Sequence, residues 1–355
     1  MSEATVVIAA GGTGGHVFPA LAVATALRER NIPVVWVGSA AGLESRVIPE
    51  NRFPLRKIAV SPLRGGGLLR KPLGLLNLFK ATCTSVKIVR QEKAATVLGM
   101  GGYVSGPVCL AAKVTGCRLV VHEQNAVPGF TNRILRHLAN RVLEALPDTF
   151  VAQKKVVCTG NPVRQDLLNV AAPDVRYSDR DGALRVLVIG GSQGARALNQ
   201  KVPEALSLVK ESLDVIHQCG PTWYKETVAN YSDVEHSCDV REFIDDMAEV
   251  YRWADVIICR SGAMTVAEIA AVGVASILIP YPAAVDDHQT ANGNFLVKAK
   301  AAVMIQEQDI TSIGLADQFQ NFSREKLKSM AVNARQVSKR DATERVVAEL
   351  VGVAA

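Results

Sequence analysis

The chain has 355 residues, of which 48% are apolar and 21% charged, and this composition excludes a disordered or fibrous protein. Its length predicts two domains. Seven scattered cysteines contain no CxxC pair, so we expect a reducing cytoplasm and neither a disulfide framework nor a zinc knuckle. The acidic N-terminal lead argues against a signal peptide. The longest uncharged apolar stretch, AVGVASILIPYPAAV, is too short to span a membrane.

The charge is unequally divided along the chain. Residues 1–160 carry 20 Lys and Arg against 8 Asp and Glu, a net charge of +12, whereas residues 161–355 carry 20 against 26, a net charge of −6. Between residues 51 and 91, nine basic residues occur without an acidic one. This segment is expected to attract an anionic surface.

Strand-like apolar runs alternate with helical patterns in two series. The first contains TVVIAA, PVVWVG, ATVLGM and RLVVHEQ, and the second contains LRVLVIGG, DVIHQCG, ADVIICR and ASILIPYP. This alternation is typical of parallel sheets covered by helices. We interpret the polar, breaker-rich residues 169–183 as the interdomain linker. Asp341 and Glu344 are predicted to cap a last helix.

Each series opens on a glycine turn. IAAGGTGGHVFPAL and LVIGGSQGARALN align at an offset of 179 residues, which predicts two Rossmann-like halves. A strand, a turn and a helix direct backbone N–H groups toward a phosphate, although the glycines alone are also compatible with simple tight turns. Neither turn fits G-x-G-x-x-G, which disfavours NAD. His16 aligns with Ala195 of the second turn, so the fold itself does not require this imidazole.

Further motifs follow predicted strands. GMGGYVSGP predicts another ligand-facing loop. In HEQN, we interpret His122 and Glu123 as a buried pair that supports the loops, and Asn125 as a ligand for a sugar hydroxyl. RSGAMTVAE opens a helix whose N–H groups suit a phosphate. In that helix Glu268 is placed to bind ribose hydroxyls. The alternative is that its negative charge only stabilises the N-terminal end of the helix. DDHQ at residues 286–289 is a poor metal site, because neighbouring loop side chains rarely converge.

Residues 69–90 combine apolar and basic side chains. This pattern predicts an interfacial segment attracted to anionic lipid. The alternative is an amphipathic helix that covers the sheet, which Val86, Ile88 and Val89 favour for the later half. Nucleic acid is disfavoured because no aromatic stacking platform accompanies the charge. The acceptor and membrane patch that we predict consists of Tyr103, Arg70, Lys71, Leu75, Leu76, Phe79 and Lys80.

Eight motifs in series carry a resemblance to a known family. They are GGTGGHVFPALA, GMGGYVSGP, HEQNAVPGFTN, GNPVR, GGSQGA, EFIDDM, RSGAMTVAE and DDHQTAN, and they span residues 11–292. Together they resemble the UDP-N-acetylglucosamine:undecaprenyl-pyrophosphoryl-MurNAc-pentapeptide N-acetylglucosaminyltransferases of peptidoglycan synthesis. The pattern departs at Gly293, where that family commonly has alanine.

The resemblance implies an α/β protein of the GT-B fold, in which two Rossmann-like domains with parallel sheets face each other across a cleft that holds the active site. Residues 1–160 would form the acceptor and membrane-facing domain, with a C-terminal helix at residues 341–355 packing back on it. Residues 161–340 would form the domain that binds UDP-GlcNAc.

The implied activity is an inverting transfer of GlcNAc to the C4 hydroxyl of MurNAc in lipid I, which forms lipid II at the cytoplasmic face of the inner membrane. No cofactor or metal ion is expected, and the cell-wall and division machinery is a candidate partner. Two alternatives stay open, a UDP-GlcNAc 2-epimerase of the same fold and a nucleotide-sugar sensor without turnover.

Carried over position by position, the resemblance implies catalytic roles for His16, Glu268 and Asn125. His16 is the candidate base, since an imidazole with a pKa near ~6.5 suits neutral pH, and the alternative is that it only positions the acceptor. The family places uracil near the Ile244 loop and the diphosphate near the Ser192 loop. The implied nucleotide-sugar contacts are Thr13, Gly14, Gly15, Asn125, Arg164, Ser192, Ile244, Ala263, Met264, Thr265, Val266, Ala267, Glu268 and Gln289.

Overall fold

The computed structural model describes residues 5–60 and 71–352, without the side chains of residues 71–73 and 75. The chain divides into two compact units. The first consists of Met1–Arg164 together with Lys339–Ala355, and the second of Gln165–Ser338. Each unit contains one parallel sheet.

The first unit alternates strands and helices around a seven-stranded sheet. Its strands are β1 (Thr5–Ala9), β2 (Val34–Ser39), β3 (Leu55–Ile58), β4 (Ala94–Gly99), β5 (Arg118–Glu123), β6 (Arg141–Glu144) and β7 (Val156–Cys158). Its helices are α1 (Gly14–Glu29), α2 (Glu44–Glu50), α3 (Lys71–Gln91), α4 (Gly102–Thr115), α5 (Phe130–Leu135) and, at the end of the chain, α15 (Ala342–Val351). The strand order is β3-β2-β1-β4-β5-β6-β7, which is a Rossmann-like order.

Both faces of this sheet are buried, which explains why its strands are almost entirely apolar. Val6 and Ile8 of β1 pack on one face and Val7 and Ala9 on the other, as the alternation of side chains along a strand requires. The last helix belongs to the first of these faces. Its buried residues there are Val346, Val347 and Leu350.

The N-terminus of this last helix is not capped in the way that the sequence predicts. Asp341 does occupy the N-cap position, but its carboxylate binds no backbone N–H of the helix. It instead accepts a hydrogen bond from Arg345 Nε at 2.7 Å. The capping-pair prediction for Asp341 and Glu344 is therefore wrong, because a cation one turn away takes the carboxylate.

The second unit repeats the pattern with six strands. Its strands are β8 (Leu184–Ile189), β9 (Leu213–Gln218), β10 (Ser237–Arg241), β11 (Val256–Cys259), β12 (Ala275–Leu278) and β13 (Ala302–Met304). Its helices are α6 (Gln165–Leu168), α7 (Pro173–Ser178), α8 (Arg196–Leu206), α9 (Tyr224–Asn230), α10 (Met247–Trp253), α11 (Ala263–Val272), α12 (His288–Lys298), α13 (Ser312–Gln320) and α14 (Arg324–Gln336). The strand order is β10-β9-β8-β11-β12-β13.

Residues 169–183 are part of the second unit rather than a linker. Helix α7 lies within this segment, and its Tyr177 is buried in the core, with the hydroxyl donating to the Asp255 carbonyl at 2.6 Å. Arg176 is also buried and donates to the Val272 carbonyl at 3.2 Å. The linker prediction is wrong because these polar groups are satisfied inside the fold rather than by water.

No helix among residues 5–60 and 71–352 is long and apolar enough to cross a membrane. All seven cysteines are free thiols. The strand predictions for both series are confirmed, since every apolar run named above overlaps one of the observed strands to within one residue at either end of that strand.

Candidate active site

His16 lies in the first turn of α1, directly after the carboxyl end of β1. The Thr13 hydroxyl at the helix start is 3.3 Å from His16 Nδ1. On its other side the ring contacts the glycine turn that begins α4, where a Cβ on Gly101 would lie 3.3 Å from His16 Nε2. Gly101 and Gly102 have φ angles of 87° and 75°, which glycine adopts readily. The imidazole therefore lies between the N-termini of two helices.

A buried carboxylate that the sequence analysis missed binds the same turn. Glu44 is 0% exposed, and it accepts hydrogen bonds from the Gly12 N–H at 3.0 Å, the Ser39 N–H at 2.8 Å and the Ser39 hydroxyl at 2.6 Å. Burial acts to raise the pKa of Glu44, but these hydrogen bonds outweigh it and hold the pKa below its ordinary value. Glu44 is therefore ionised at neutral pH.

Tyr103, which we predicted in the acceptor and membrane patch, lies on α4 beside this turn. Its hydroxyl is 3.2 Å from Ser39 Oγ, and a Cβ on Gly12 would lie 3.3 Å from its ring. The structure thus groups Tyr103 with the glycine turn.

Glu123 organises the loop that contains Asn125. One carboxylate oxygen accepts from the backbone N–H and from Nδ2 of Asn125, at 3.0 and 3.1 Å. The other accepts from the Gly129 N–H at 3.0 Å and from Asn132 Nδ2 at 2.9 Å. Asn132 Nδ2 would lie 3.2 Å from a Cβ on Gly101, so this network extends to the turn beside His16.

His122 supports the same loop from inside. It is 0% exposed, its Nε2 donates to the Gly160 carbonyl at 3.0 Å, and its Nδ1 lies 3.2 Å from Gln124 Nε2. Burial lowers the pKa of His122 to about 4. The interpretation of His122 and Glu123 as buried loop supports is confirmed.

The second glycine turn follows β8 and carries Ser192 at its exposed tip. Gly191 and Gly194 have φ angles of 86° and 73°, and the Gly194 N–H donates to the Gly191 carbonyl at 2.9 Å. A Cβ on Gly194 would lie 1.7 Å from the Cys219 carbonyl oxygen. Only glycine fits at position 194, since the turn packs directly on the chain after β9.

Gln218 is a second residue that the sequence analysis missed. Its side chain is buried, and Nε2 donates to the Gly191 carbonyl at 3.1 Å while Oε1 accepts from the Ile244 N–H at 2.9 Å. It therefore connects the glycine turn to the loop predicted to hold uracil. The Ile244 side chain is only 3% exposed, so a contact from this residue to a base would involve its backbone.

Helix α11 presents two kinds of predicted contact residue. Ala263 and Val266 are buried and have only backbone groups to offer a ligand. Glu268 is partly exposed, and its Oε2 accepts from the Tyr251 hydroxyl at 3.3 Å. The other predicted contacts on this helix, all partly exposed, are Met264, Thr265 and Ala267.

The remaining predicted donor contacts lie at other positions. Gln289 is in the first turn of α12, where its Oε1 accepts from the Tyr281 N–H at 2.9 Å. Arg164 is the last residue of the N-terminal segment of the first unit, Met1–Arg164. Gly14 and Gly15 are the first residues of α1. Within the described part of the chain, no group of three or more His, Cys, Asp or Glu side chains could hold a metal ion.

Helix α3 has an exposed and a buried portion. Leu76 and Phe79 are 47% and 66% exposed, and with the exposed Lys80 they share one helix face. Ile88 and Val89 pack in the core, which confirms that the later half covers the sheet. Arg70 and the side chains of Lys71 and Leu75 lie outside the described residues.

Comparisons with known proteins establish the family. The family model described as "Glycosyltransferase family 28 N-terminal domain" matches residues 6–144, and "Glycosyltransferase family 28 C-terminal domain" matches residues 185–346. The chain belongs to glycosyltransferase family 28. Within this family it is 47% identical over 348 residues to the "UDP-N-acetylglucosamine--N-acetylmuramyl-(pentapeptide) pyrophosphoryl-undecaprenol N-acetylglucosamine transferase" of Coxiella burnetii, with 97% of each chain covered.

Two further family 28 comparisons agree. The transferase of the same name from Dechloromonas aromatica is 47% identical over 344 residues, with 96% of this chain and 97% of the relative covered. The crystal structure of Acinetobacter baumannii MurG has a TM-score of 0.87 and 41% identity, and it covers 99% of this chain and 100% of its own. The prediction of a GT-B glycosyltransferase is confirmed, and the epimerase and the sensor are disfavoured.

Proposed function

We propose that this glycosyltransferase transfers GlcNAc from UDP-GlcNAc to the C4 hydroxyl of MurNAc in lipid I, and so forms lipid II for peptidoglycan synthesis. The observation that carries the proposal is 47% identity over 97% of the chain to the Coxiella burnetii transferase, whose name states this donor and this acceptor. The residues around His16 supply a chemical reason for the assignment.

Inverting transfer needs a single displacement at C1 of GlcNAc. The acceptor oxygen attacks C1, the bond from C1 to the diphosphate oxygen breaks, and UDP leaves with the electron pair. In our proposal His16 Nε2 accepts the proton of the acceptor hydroxyl, while the Thr13 hydroxyl accepts a hydrogen bond from Nδ1–H across 3.3 Å. The N-termini of α1 and α4 favour the neutral imidazole that a base must be.

The donor is assigned to the second unit. The Ser192 turn and the first N–H groups of α11 are suited to the diphosphate, and Glu268 to the two ribose hydroxyls. The backbone at Ile244 is suited to uracil. Gln289 Oε1 accepts from the Tyr281 N–H at 2.9 Å, and we assign its Nε2 as a donor to the ligand.

Residues of the first unit complete the donor contacts that we propose. Asn125 is assigned to a sugar hydroxyl and Arg164 to the negative charge that develops on UDP, and the first glycine turn contacts the nucleotide sugar through Thr13, Gly14 and Gly15. Helix N-termini and a guanidinium stabilise such charge without reorganisation. We propose that these groups offset the charge on UDP without a metal ion or another cofactor.

We further propose that the enzyme is a peripheral protein at the cytoplasmic face of the inner membrane. Nine basic residues without an acidic one between residues 51 and 91 and the exposed Leu76 and Phe79 support this location, because interfacial segments combine cations with inserted apolar side chains. The cell-wall and division machinery remains a proposed partner.

Labelled UDP-GlcNAc, incubated with and without a lipid I analogue, tests the proposed activity. We expect the label in a lipid-linked disaccharide only when the acceptor is present. Release of ManNAc from the donor alone would favour the epimerase. Intact donor binding without any product would favour the sensor.

A further inference from the structure

The Glu44 carboxylate occupies a space that three glycines create. A Cβ on Gly11 would lie 2.4 Å from Glu44 Oε1, a Cβ on Gly42 would lie 2.1 Å from Oε2, and a Cβ on Gly38 would lie 2.6 Å from Cγ. Any larger residue at these positions would displace the side chain. Its full burial and its three donors, the Gly12 N–H and the N–H and hydroxyl of Ser39, identify a site built for one carboxylate.

At the corresponding strand end of the second unit, the side chain that binds the glycine turn is neutral. Ser39 is the last residue of β2 and Gln218 the last residue of β9, and each lies beside the glycine turn of its own unit. In the first unit Glu44 binds Ser39 and the Gly12 N–H, whereas in the second unit the neutral Gln218 amide binds the Gly191 carbonyl. The two aligned turns therefore differ in charge as well as in the histidine.

Glu44 also connects the two helix starts beside His16. It holds Gly12 directly, and through Ser39, whose Oγ is 3.2 Å from the Tyr103 hydroxyl, it reaches the first turn of α4. The His16 ring contacts both the Thr13 end of α1 and the Gly101 turn. A change in Glu44 is therefore transmitted to both sides of the imidazole.

We propose that Glu44 is a positioning residue for the transfer reaction: it holds the first glycine turn so that His16 faces the acceptor. This inference rests on the proposed function. The carboxylate acts through the Gly12 N–H and through Ser39, without itself contacting either substrate.

The variant Glu44→Gln tests the positioning role, because it preserves shape but turns an amide N–H toward the Gly12 N–H. We expect kcat with a lipid I analogue to fall about 10- to 100-fold, as for small misplacements of catalytic groups. The KM for UDP-GlcNAc should stay within about twofold, since the contacts that we propose for uracil, ribose and diphosphate lie in the second unit. Glu50→Gln removes the same negative charge from an exposed position of the same helix, and this control variant should behave as wild type.

An unchanged kcat in a folded Glu44→Gln variant would overturn the positioning role, as would a rise in donor KM that accounts for the whole loss. Circular dichroism establishes folding. If Glu44→Gln does not fold, Ser39→Ala, which removes only the hydroxyl, should show a smaller loss of kcat with the same constant KM. An unchanged kcat in Ser39→Ala would then decide against the proposal.

If the wild type makes no disaccharide, the proposed function fails, whereas an active wild type with an equally active Glu44→Gln contradicts only this inference.

Discussion

His16 distinguishes the first glycine turn from the second, where Ala195 stands at the aligned position. If the imidazole takes the acceptor proton, His16→Ala should lower kcat by the roughly 10² to 10⁴ that general-base loss causes, with donor affinity largely intact. Steady-state kinetics and calorimetry with UDP-GlcNAc measure these two quantities. His137→Ala, which removes an exposed histidine of the same unit, is the matched control. Reduced donor affinity with unchanged turnover would make His16 a donor ligand.

Glu268 is expected to act through donor binding, because its carboxylate is oriented by the Tyr251 hydroxyl at 3.3 Å. Glu268→Gln should raise the KM for UDP-GlcNAc about tenfold, since a hydrogen bond to a charged group contributes roughly 1.5–3 kcal/mol. Tyr251→Phe should raise it less. Glu249→Gln on the exposed side of α10 should leave KM unchanged. A KM equal to wild type in Glu268→Gln would remove the ribose assignment.

At the scale of helices and strands, the sequence predicted the alternation and the two turns because apolar periodicity is local. It did not reveal Glu44 or Gln218, whose partners at Gly12 and Gly191 are 32 and 27 residues away. The order of the parallel strands brings these distant positions together, and a local sequence pattern does not predict that order. The remaining signal for Glu44 was a single acidic residue in a glycine-containing segment after β2. Residues 169–183 misled for a different reason: most of their polar side chains are exposed, as in a linker, but Arg176 and Tyr177 are buried in the second unit.

Helix α3 carries the proposed membrane contact on its exposed face. Leu76→Ser combined with Phe79→Ser should weaken binding to vesicles of anionic lipid, because each removes an exposed apolar side chain that could insert. Vesicle sedimentation at low salt measures the loss. The double change of Val175 and Ile313 to serine, at 67% and 69% exposure in the second unit, is the control. Equal binding of both double variants would discard the patch.

At the scale of the molecule, a fully buried neutral histidine lies in the described part of each sheet, His122 in β5 and His217 in β9. Burial lowers the pKa of His122 to about 4 and that of His217 to about 3. The unfolded chain takes up these protons near pH ~6.5, before the folded protein does. The free energy of unfolding should therefore fall as pH decreases below ~6.5, and this loss should level off only below the folded pKa values.

His217→Gln tests this dependence in the second unit, where His217 contacts Asn199 and Tyr231. Between pH 6 and 5 the wild type should lose up to about 1.4 kcal/mol more stability per pH unit than the variant. Urea unfolding across this range measures the difference. Parallel curves for the two proteins would show that His217 does not contribute to acid sensitivity.

The configuration of the glycosidic bond in the product tests the central claim most directly. A single displacement on α-linked UDP-GlcNAc, with His16 as base, inverts C1. Proton NMR of the disaccharide formed from UDP-GlcNAc and a lipid I analogue should therefore show a β-linked GlcNAc on C4 of MurNAc. An α-linkage, or a spectrum without any disaccharide, would contradict the account.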